Sequence, residues 1–305
     1  MTTILWIIQI FLLPALAPLG IGVIRKIKAK LQNRQGANVI QPYRDLWKLF
    51  HKDEVLSPDA SWIFRSAPLI VFTSTIVVGA MIPVFAGLLR HPMIGDILLI
   101  IYTLSVGTFF LALAGLDTGG AFGGFGSSRE MTVAALAEGG LLFSLVTMAL
   151  TAGTGDPFGM AGVPVSNQTL LPMMLAGVGF FIVLLAENSR FPFDNPATHL
   201  ELTMIHEAMI LEYSGKRLAL MEWAAANKLL IFTTLGVNIF FPWGMAHQLT
   251  AGALLIGGLA LVTKLGLVYA AIAILESSMA KYRFFRLPDL LLIAFILNVV
   301  AIVIR

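Results

Sequence analysis

Long apolar stretches, each followed by a short polar segment, occupy almost the whole chain. A transmembrane helix needs about 20 predominantly apolar residues, and eight stretches have that character. These predicted spans lie near residues 2–24, 66–88, 95–114, 131–152, 170–187, 228–247, 252–275 and 287–304. No internal repeat is visible. The pattern therefore predicts an all-α, polytopic membrane protein with eight transmembrane helices, organised as a single integral membrane domain over residues 1–305.

The composition agrees with this class of protein. Hydrophobic residues make up 58% of the 305 positions and charged residues 12%, whereas soluble domains are about half apolar and about a quarter charged. The chain contains no cysteine, so it has no thiolate for an iron–sulfur cluster and no disulfide. We therefore expect any redox centre to belong to a partner, and we predict no metal site or cofactor in this chain.

The basic residues indicate which polar segments share a side of the membrane. In the eight-span arrangement, all of the 20 Lys and Arg residues except Arg90, Lys264 and Arg305 fall on one side. An excess of Lys and Arg marks cytoplasmic loops. We predict charged cytoplasmic loops and both termini on the non-cytoplasmic side of the cell inner (cytoplasmic) membrane. Because no basic run alternates with aromatic residues for base stacking, no nucleic-acid partner is expected.

The first cytoplasmic loop contains an amphipathic segment. The apolar positions that recur there at helical spacing are Tyr43, Leu46, Trp47 and Phe50. Asp45 and Lys48 fall on the polar face of the same segment. Such a helix lies along a bilayer surface or against a partner. Two interpretations stay open, a basic helix held on anionic lipid and a docking surface for another subunit.

The second cytoplasmic stretch, residues 115–130, is rich in glycine and ends in Arg129 and Glu130. A phosphate-binding loop would continue into Gly-Lys-Ser or Gly-Lys-Thr and lie between a strand and a helix. Neither feature is present in the sequence. We favour a structural turn that lets Arg129 meet acidic residues of the third stretch.

Four ionisable residues fall inside predicted spans or close them, namely Glu138, Glu187, Lys264 and Glu276. Ionisable groups within a membrane are costly and are functional candidates by default. For Glu187 and Glu276, near span ends, the alternative is a side chain that reaches the interface. Lys264 lies about halfway along its span and needs water, a carboxylate or a carbonyl to remain charged.

The third cytoplasmic stretch, residues 187–217, is dense in acids, bases and histidines. A zincin-type site needs a second histidine four residues after His206 and Glu207, which is absent, and His199 lies seven residues before His206, too far for one compact helical site. We therefore expect no metal here. A network of carboxylates, arginines and histidines that conducts or senses protons is one interpretation. The other is a salt-bridged loop that docks a soluble partner.

Several motifs of these stretches together carry a family likeness. They are Arg34-x-Gly36-x-Asn38, Asp45-x-x-Lys48, Ala67-Pro68, the Arg129 to Glu138 spacing, Glu187-Asn188-x-Arg190-x-Pro192-Phe193-Asp194 and Glu212-Tyr213-Ser214-Gly215. The chain resembles the subunit 1 (ND1-like) family of respiratory complex I along nearly its whole length.

A second set of motifs resembles one branch of that family. They are Gly115-Leu-Asp117-Thr-Gly119, Gly126-x-Ser128-Arg129-Glu130, Phe241-Pro242-Trp243-Gly244 and Glu276-x-Ser278-Met279-Ala280. This branch is the membrane anchor of formate hydrogenlyase and hydrogenase-4, within the group 4 membrane-bound [NiFe] hydrogenases. The resemblance implies a non-catalytic subunit that anchors an electron-transfer arm and couples it to proton or ion translocation.

The resemblance also implies partners and residue roles. Expected partners are hydrogenase-like large and small subunits and a ferredoxin-like subunit on the cytoplasmic side, antiporter-like membrane subunits, and lipid. Iron–sulfur clusters and a NiFe centre would belong to those partners. The residues assigned to proton or ion coupling are Glu138, Glu187, Asp194, Glu201, Glu212 and Lys264. Those assigned to docking and loop organisation are Arg34, Asp45, Lys48, Arg129, Glu130, Arg190 and Arg217.

One segment departs from the family pattern. Relatives carry an acid-rich run after the position of Asp194, and this chain keeps only Glu201 from that run, which leaves the electron acceptor open. An alternative is a quinone-binding subunit of a complex I-like dehydrogenase. Another is a stand-alone secondary transporter that uses Glu138 and Lys264, although the missing internal repeat speaks against it.

Overall fold

The structure is a computed structural model that describes residues 2–87, 95–164, 166–195, 204–246 and 248–305. Within these ranges the chain is mostly helical, and its β pairing is an isolated bridge between Ala86 and Ala246. The helices are α1 (Thr2–Leu31), α2 (Gln41–Phe50), α3 (Trp62–Met81), α4 (Ile97–Asp117), α5 (Ala121–Ala152), α6 (Pro157–Met160), α7 (Asn167–Glu187), α8 (His206–Ile210), α9 (Gly215–Phe240), α10 (Ala251–Ser278) and α11 (Leu287–Ile304). A single 3-10 turn, Phe284–Arg286, precedes α11.

Eight of the helices described are long and apolar enough to cross a membrane, which confirms the predicted number. They are α1, α3, α4, α5, α7, α9, α10 and α11, the last together with its 3-10 turn. Two of them begin well before the predicted spans, since α5 starts at Ala121 and α9 at Gly215. Glu130 of α5 and Lys228 of α9 lie several turns into their helices and face a cavity inside the bundle, so these charges do not interrupt the helices.

Prolines end two spans earlier than the apolar pattern predicts. The helix α3 stops at Met81, and Ile82 is extended (φ −98°, ψ 146°) ahead of Pro83. The helix α9 stops at Phe240, ahead of Pro242. A residue before proline is pushed out of the helical region, and proline itself has no N–H for the helix ladder. Residues 88 and 247, the predicted ends of these spans, lie outside the described residues.

The spanning helices form two packed groups. The helix α9 lies near the centre, where it contacts α1, α2, α3, α7 and α10, whereas α11 packs on α5 and α7. The helix α4 joins the groups by packing on α3 and α5. The apolar core follows this arrangement, with Phe232, Leu145 and Ile100 fully buried. Apolar side chains on the outside, such as Leu259 of α10 at 68% exposure, suit contact with lipid.

The polar segments predicted to be cytoplasmic meet at one end of the bundle. Ser61 at the start of α3 donates its backbone N–H and its hydroxyl to the carboxylate of Asp117 at the end of α4, at 2.7 and 2.6 Å. Arg129 of α5 donates to the carbonyl oxygen of Met204 at 3.1 Å. We call this end the charged end. That it faces the cytoplasm stays a prediction.

The glycine-rich stretch between α4 and α5 serves close packing. The turn itself is short, from Thr118 to Gly120, and the later glycines belong to the first turns of α5. A Cβ at Gly123 would collide with the carbonyl oxygen of Gly115, and one at Gly126 would lie 2.8 Å from the carbonyl oxygen of Ile205. Glycine is therefore required where α5 approaches α4 and the segment before α8.

Candidate functional site: a charged cavity

A cavity of about 840 Å³ lies at the charged end. Its walls come from α1, α2, α3, α4, α5, α8, α9 and α10 together with residues 187–194. Apolar lining is supplied by Ile21 and Leu49 among others, and the exposed side chains of Arg34, Lys48 and Lys52 lie at the rim. Cavities of about 300–1,000 Å³ are typical of small-molecule sites. This cavity therefore combines an apolar wall with a charged lining.

Glu276 is the centre of a buried ion-pair group in this cavity. It lies near the end of α10, and its carboxylate is 3.1 Å from Arg190 Nη1 and 3.2 Å from Lys28 Nζ of α1. The side chain of Glu276 is only 3% exposed. The ammonium of Lys28 also lies 5.4 Å from the ring centre of Phe191. One carboxylate thus ties α1, α10 and the segment after α7 together, because leaving any one member unpaired in a buried site is costly.

Glu187 and Lys228 form a second buried pair. Lys228 Nζ of α9 lies 2.8 Å from Glu187 Oε2 at the end of α7 and donates a 3.2 Å hydrogen bond to the hydroxyl of Thr108. The carboxylate of Glu187 therefore lies inside the helix bundle, paired with Lys228, and is not directed outward to the bilayer interface. Lys228 lies at the edge of a predicted span, and its role becomes visible because α9 begins thirteen residues earlier, at Gly215.

Asp194 fastens the segment that follows α7. Its buried carboxylate accepts the backbone N–H groups of Ile205 and His206, both at 3.1 Å, and lies 2.5 Å from Lys281 Nζ. It thereby joins residue 194 to the start of α8 and to the loop after α10. The predicted coupling residue Asp194 is thus also an anchor that holds one wall of the cavity. Glu201, the acid kept from the family run, lies outside the described residues.

Glu130 and His206 complete the inner lining. Glu130 of α5 is 5% exposed and faces the cavity. Burial lowers the pKa of His206 to about 4, and the nearby Asp194 carboxylate opposes this only in part. His206 is therefore a neutral imidazole near pH 7, able to donate and accept hydrogen bonds without adding a cation. In the part of the chain that the structure describes, no group of three metal-ligating side chains converges, and His199 lies outside that part.

At the charged end, the first and third polar stretches hold each other by side-chain contacts. The hydroxyl of Ser214 accepts the N–H of Val55 at 2.8 Å and donates to the carbonyl of Val55 at 3.0 Å. Arg217 Nη1 lies 2.5 Å from Glu54 Oε2, and its Nε donates to the Arg65 carbonyl at 3.2 Å. Arg217, predicted to organise the loops, thus links the third polar stretch to Glu54 and Arg65 of the first.

Three further predicted residues, Asp45, Lys48 and Glu212, lie at this end. Asp45 accepts a 2.8 Å hydrogen bond from Gln41 within α2 and lines the cavity with Lys48. Glu212 is exposed beside Gly120 and does not line the cavity. Its neighbour Tyr213 stacks on Phe64 at 3.9 Å and donates to the Phe64 carbonyl at 2.8 Å; burial raises the pKa of this phenol.

Glu138 and Lys264 lie away from the cavity. Glu138 is partly exposed on α5, and its side chain is not part of the cavity lining. Lys264 of α10 is 3% exposed. Its ammonium donates a 3.4 Å hydrogen bond to Asn238 Oδ1 and lies 4.8 Å from the ring centre of Trp243. Since Asn238 also donates to the carbonyl oxygens of Pro83 and Val84, Lys264 belongs to the opposite end of the bundle.

Sequence reasoning missed several residues of this network. Lys28 lines the cavity and Lys281 pairs with Asp194 beside it, but the sequence marks both only as basic residues that set orientation. Glu222 of α9 also lines the cavity, and the sequence does not single it out. A usable signal was present. Glu222 and Lys228 are charged positions six residues apart on a long helical pattern with few other charges, and ionisable residues within membrane helices face the bundle interior or a cavity.

Eight spanning helices around an internal network of ion pairs define a polytopic membrane protein whose charges are organised inside the bundle. The chain belongs to the NADH dehydrogenase family, whose model matches residues 3–305. The resemblance to the subunit 1 family of complex I is thereby confirmed.

Relatives within the family agree with the predicted branch. Formate hydrogenlyase subunit 4 of Escherichia coli K12 is 34% identical over 282 residues, which cover 91% of this chain and 90% of that protein. Hydrogenase-4 component C of the same organism is 34% identical over 282 residues, covering 90% and 87%. A subunit of the NADH-quinone oxidoreductase of Paraburkholderia phymatum is 28% identical over 265 residues, covering 83% and 74%.

A solved structure shares the fold. The chain superposes on a chain of the membrane-bound sulfane sulfur reductase, an archaeal respiratory membrane complex, with a TM-score of 0.81 and coverage of 98% and 99%. The sequence identity is 20%, so this likeness shows the fold alone. It agrees with the all-α membrane architecture predicted from the apolar pattern.

Proposed function

We propose that this chain is the membrane anchor subunit of a hydrogenase-4/formate hydrogenlyase-like oxidoreductase complex in the cell inner membrane. In this role it docks the cytoplasmic electron-transfer arm and couples it to proton or ion translocation by antiporter-like subunits. The observation that carries the proposal is the series of buried ion pairs lining the cavity. The kinship to formate hydrogenlyase subunit 4 and hydrogenase-4 component C supports the choice of complex.

The ion pairs provide a physical route for coupling. Three carboxylates at this end each pair with a cation, Asp194 with Lys281, Glu276 with Arg190, and Glu187 with Lys228. In a buried network the charge of one member sets the protonation of the next, because interactions are strong where water is excluded. A charge change at the docked arm would thus favour proton movement along these carboxylates.

Glu138 is positioned to pass that proton to a neighbouring membrane subunit. It lies near the middle of α5, eight residues beyond Glu130, on a part of the helix where Leu136 is 43% exposed to the outside of the bundle. A carboxylate in such a place is costly in lipid and is expected to face a protein partner or water. We assign this side of α5 to an antiporter-like subunit.

The docking face is assigned to the charged end around the contacts between residues 54–55 and 214–217. Val55 is 74% exposed and Leu211 53% exposed there, and exposed Lys216 adds a positive charge. Apolar anchors among charged residues are typical of protein interfaces. Hydrogenase-like large and small subunits and a ferredoxin-like subunit would bind this face, and they would carry the iron–sulfur clusters and the NiFe centre.

Affinity purification in mild detergent, followed by mass spectrometry and metal analysis, tests the proposal. We expect a hydrogenase-like large subunit, antiporter-like subunits, nickel and iron. Val55→Glu with Leu211→Glu should release the soluble arm and its metals while keeping the membrane subunits. Exposed apolar residues on the lipid side, changed as Leu259→Gln, serve as the matched control. Purification of the intact chain without any partner would contradict the proposal.

The cavity itself favours a second candidate function, that of a quinone-binding subunit. Its volume of about 840 Å³ and its apolar wall between α1, α2 and α9 are compatible with a quinone head group. A photoreactive quinone analogue distinguishes the two candidates. Labelling of the wall around Ile21 and Leu49, suppressed by excess quinone, would favour this alternative, whereas labelling spread over the lipid-facing surface would count against it.

A further inference from the structure

A second recess lies where the last two spans are joined. Its volume is about 370 Å³, and it is lined by Lys281, Tyr282, Arg283 and Arg286. The backbone here is fixed to the rest of the protein, because the N–H of Tyr282 donates to the carbonyl of Pro192 at 3.1 Å. The recess is therefore a built feature of the charged end and lies outside the cavity described above.

The two arginines of this recess have no acidic partner within the described residues. Lys281 is paired with Asp194 at 2.5 Å, whereas the guanidinium groups of Arg283 and Arg286 are exposed and form no ion pair there. Asp289 follows on the next turn but does not line the recess. Guanidinium groups bind phosphate in a forked geometry, and a phenol adds a further donor. The recess thus has the chemistry of a phosphate site.

An apolar side chain stands directly beside these cations. Phe285, between the two arginines, is 88% exposed, the highest value among the large hydrophobic side chains of the described residues. Because Phe284–Arg286 forms the start of the last candidate membrane span, we expect this ring at the level where head groups give way to acyl chains. A free phosphate ion would make no apolar contact with this ring, whereas the acyl chains of a phospholipid would pack against it.

The helices below the recess diverge. The helix α10 packs on α1 and α9, whereas α11 packs on α5 and α7. Consecutive spans joined by a short loop thus belong to different groups of the bundle, and their outward faces are apolar, with Leu267 at 64% and Leu292 at 56% exposure. A phospholipid could therefore place its phosphate in the basic recess and its acyl chains between the apolar faces of α10 and α11.

We propose that Tyr282, Arg283 and Arg286 bind the phosphodiester head of an anionic phospholipid, with Phe285 against the acyl chains that run between α10 and α11. Basic pockets between membrane helices on the cytoplasmic side are known to hold such head groups. The bound lipid would fill the gap between the two groups of helices. It would also border Lys281 and thereby the Asp194 anchor of the charged cavity.

The test measures binding of phosphatidylglycerol to the full chain, purified with its accompanying subunits and exchanged into detergent. Each cation near a surface contributes about 1 kcal/mol to the binding of anionic lipid, so Arg283→Gln with Arg286→Gln should weaken binding about thirtyfold. Arg44→Gln with Arg65→Gln, two exposed arginines at the same end but outside the recess, should leave it unchanged. Phosphatidylcholine should bind more weakly than phosphatidylglycerol.

Two further arms separate the lipid from other anions. Phe285→Gln should weaken phosphatidylglycerol severalfold without changing the binding of inorganic phosphate. If inorganic phosphate alone binds as tightly as the lipid, the site is one for free phosphate and the proposal is overturned. Equal loss in the Arg44 and Arg65 control overturns it too. So does a recess variant that keeps the lipid but loses the soluble subunits, because the arginines would then belong to a protein interface.

Discussion

Two lysines inside the bundle, toward opposite ends, have very different partners. Lys228 pairs with Glu187 at 2.8 Å inside the charged cavity, whereas Lys264 has a neutral amide oxygen at 3.4 Å and an indole ring at 4.8 Å. The described acids on the side of Lys264, Asp96 and Asp156, cap α4 and α6 instead. Ionic networks are therefore concentrated at one end, and an isolated cation is tolerated at the other.

The largest expected effect comes from breaking the buried ion-pair group. Glu276→Gln leaves Lys28 and Arg190 without their shared carboxylate, and removing one partner of a buried pair costs about 3–5 kcal/mol. The free energy of unfolding in detergent should fall by that amount. Glu54→Gln is the matched control, since its pair with Arg217 is about a quarter exposed and such pairs contribute about 0–1 kcal/mol. Equal losses in both variants would remove the distinction between buried and surface pairs.

A second effect concerns pH. Burial lowers the pKa of His206 to about 4 in the folded chain, below its unfolded value of about 6.5. The unfolded state therefore binds the proton more readily, and stability is full above pH 6.5 and is lost as the pH falls towards 4, by about 3 kcal/mol. Thermal unfolding between pH 7 and 4 should show this loss.

His206→Gln identifies the source of the pH effect. In this variant the free energy of unfolding should fall by about 3 kcal/mol less between pH 7 and 4 than in the unchanged protein. His51→Gln, which removes an exposed histidine, should leave the pH dependence of stability unchanged. Retention of the full slope in the His206 variant would assign the effect to the neighbouring carboxylates.

The smallest effect is expected at Lys264. Lys264→Met removes a hydrogen bond and a cation–π contact of about 1 kcal/mol each, but it also removes a membrane-buried charge that costs about 2.5–3.5 kcal/mol. Stability should therefore change by only about 1 kcal/mol, in the stabilising direction. Lys228→Met should be clearly destabilising, because it leaves Glu187 unpaired. A large loss from Lys264→Met would reveal a counter-charge supplied from outside this chain.

The apolar pattern predicted the number and order of the spans because membrane helices are defined by length and hydropathy. It misplaced the starts of α5 and α9, since charged residues such as Glu130 and Lys228 face an internal cavity and look like loop residues in the sequence. It also extended two spans past Pro83 and Pro242. The misplaced starts have one cause, which is that hydropathy does not distinguish a polar interior from the aqueous surface. The late ends have another, because hydropathy does not register that proline ends a helix.

The site was predicted in part. Glu187, Arg190 and Asp194 follow one another along the chain and do lie together at the cavity. Their partners come from distant helices, Lys28 from α1 and Lys228 from α9, and only the packing of the bundle brings them within reach. Glu138, Glu212 and Lys264 are assigned to the same coupling group, and the structure places all three away from the cavity. Their coupling roles stay predictions.

The central claim is that the ion pairs of the cavity couple electron transfer to ion translocation. The most direct measurement compares both rates in membrane vesicles carrying Glu187→Gln, with Asp59→Asn, an exposed acid outside the cavity, as control. The account predicts that the Glu187 variant assembles and transfers electrons but translocates at least about tenfold fewer ions per electron. Unchanged translocation in an assembled Glu187 variant would contradict it.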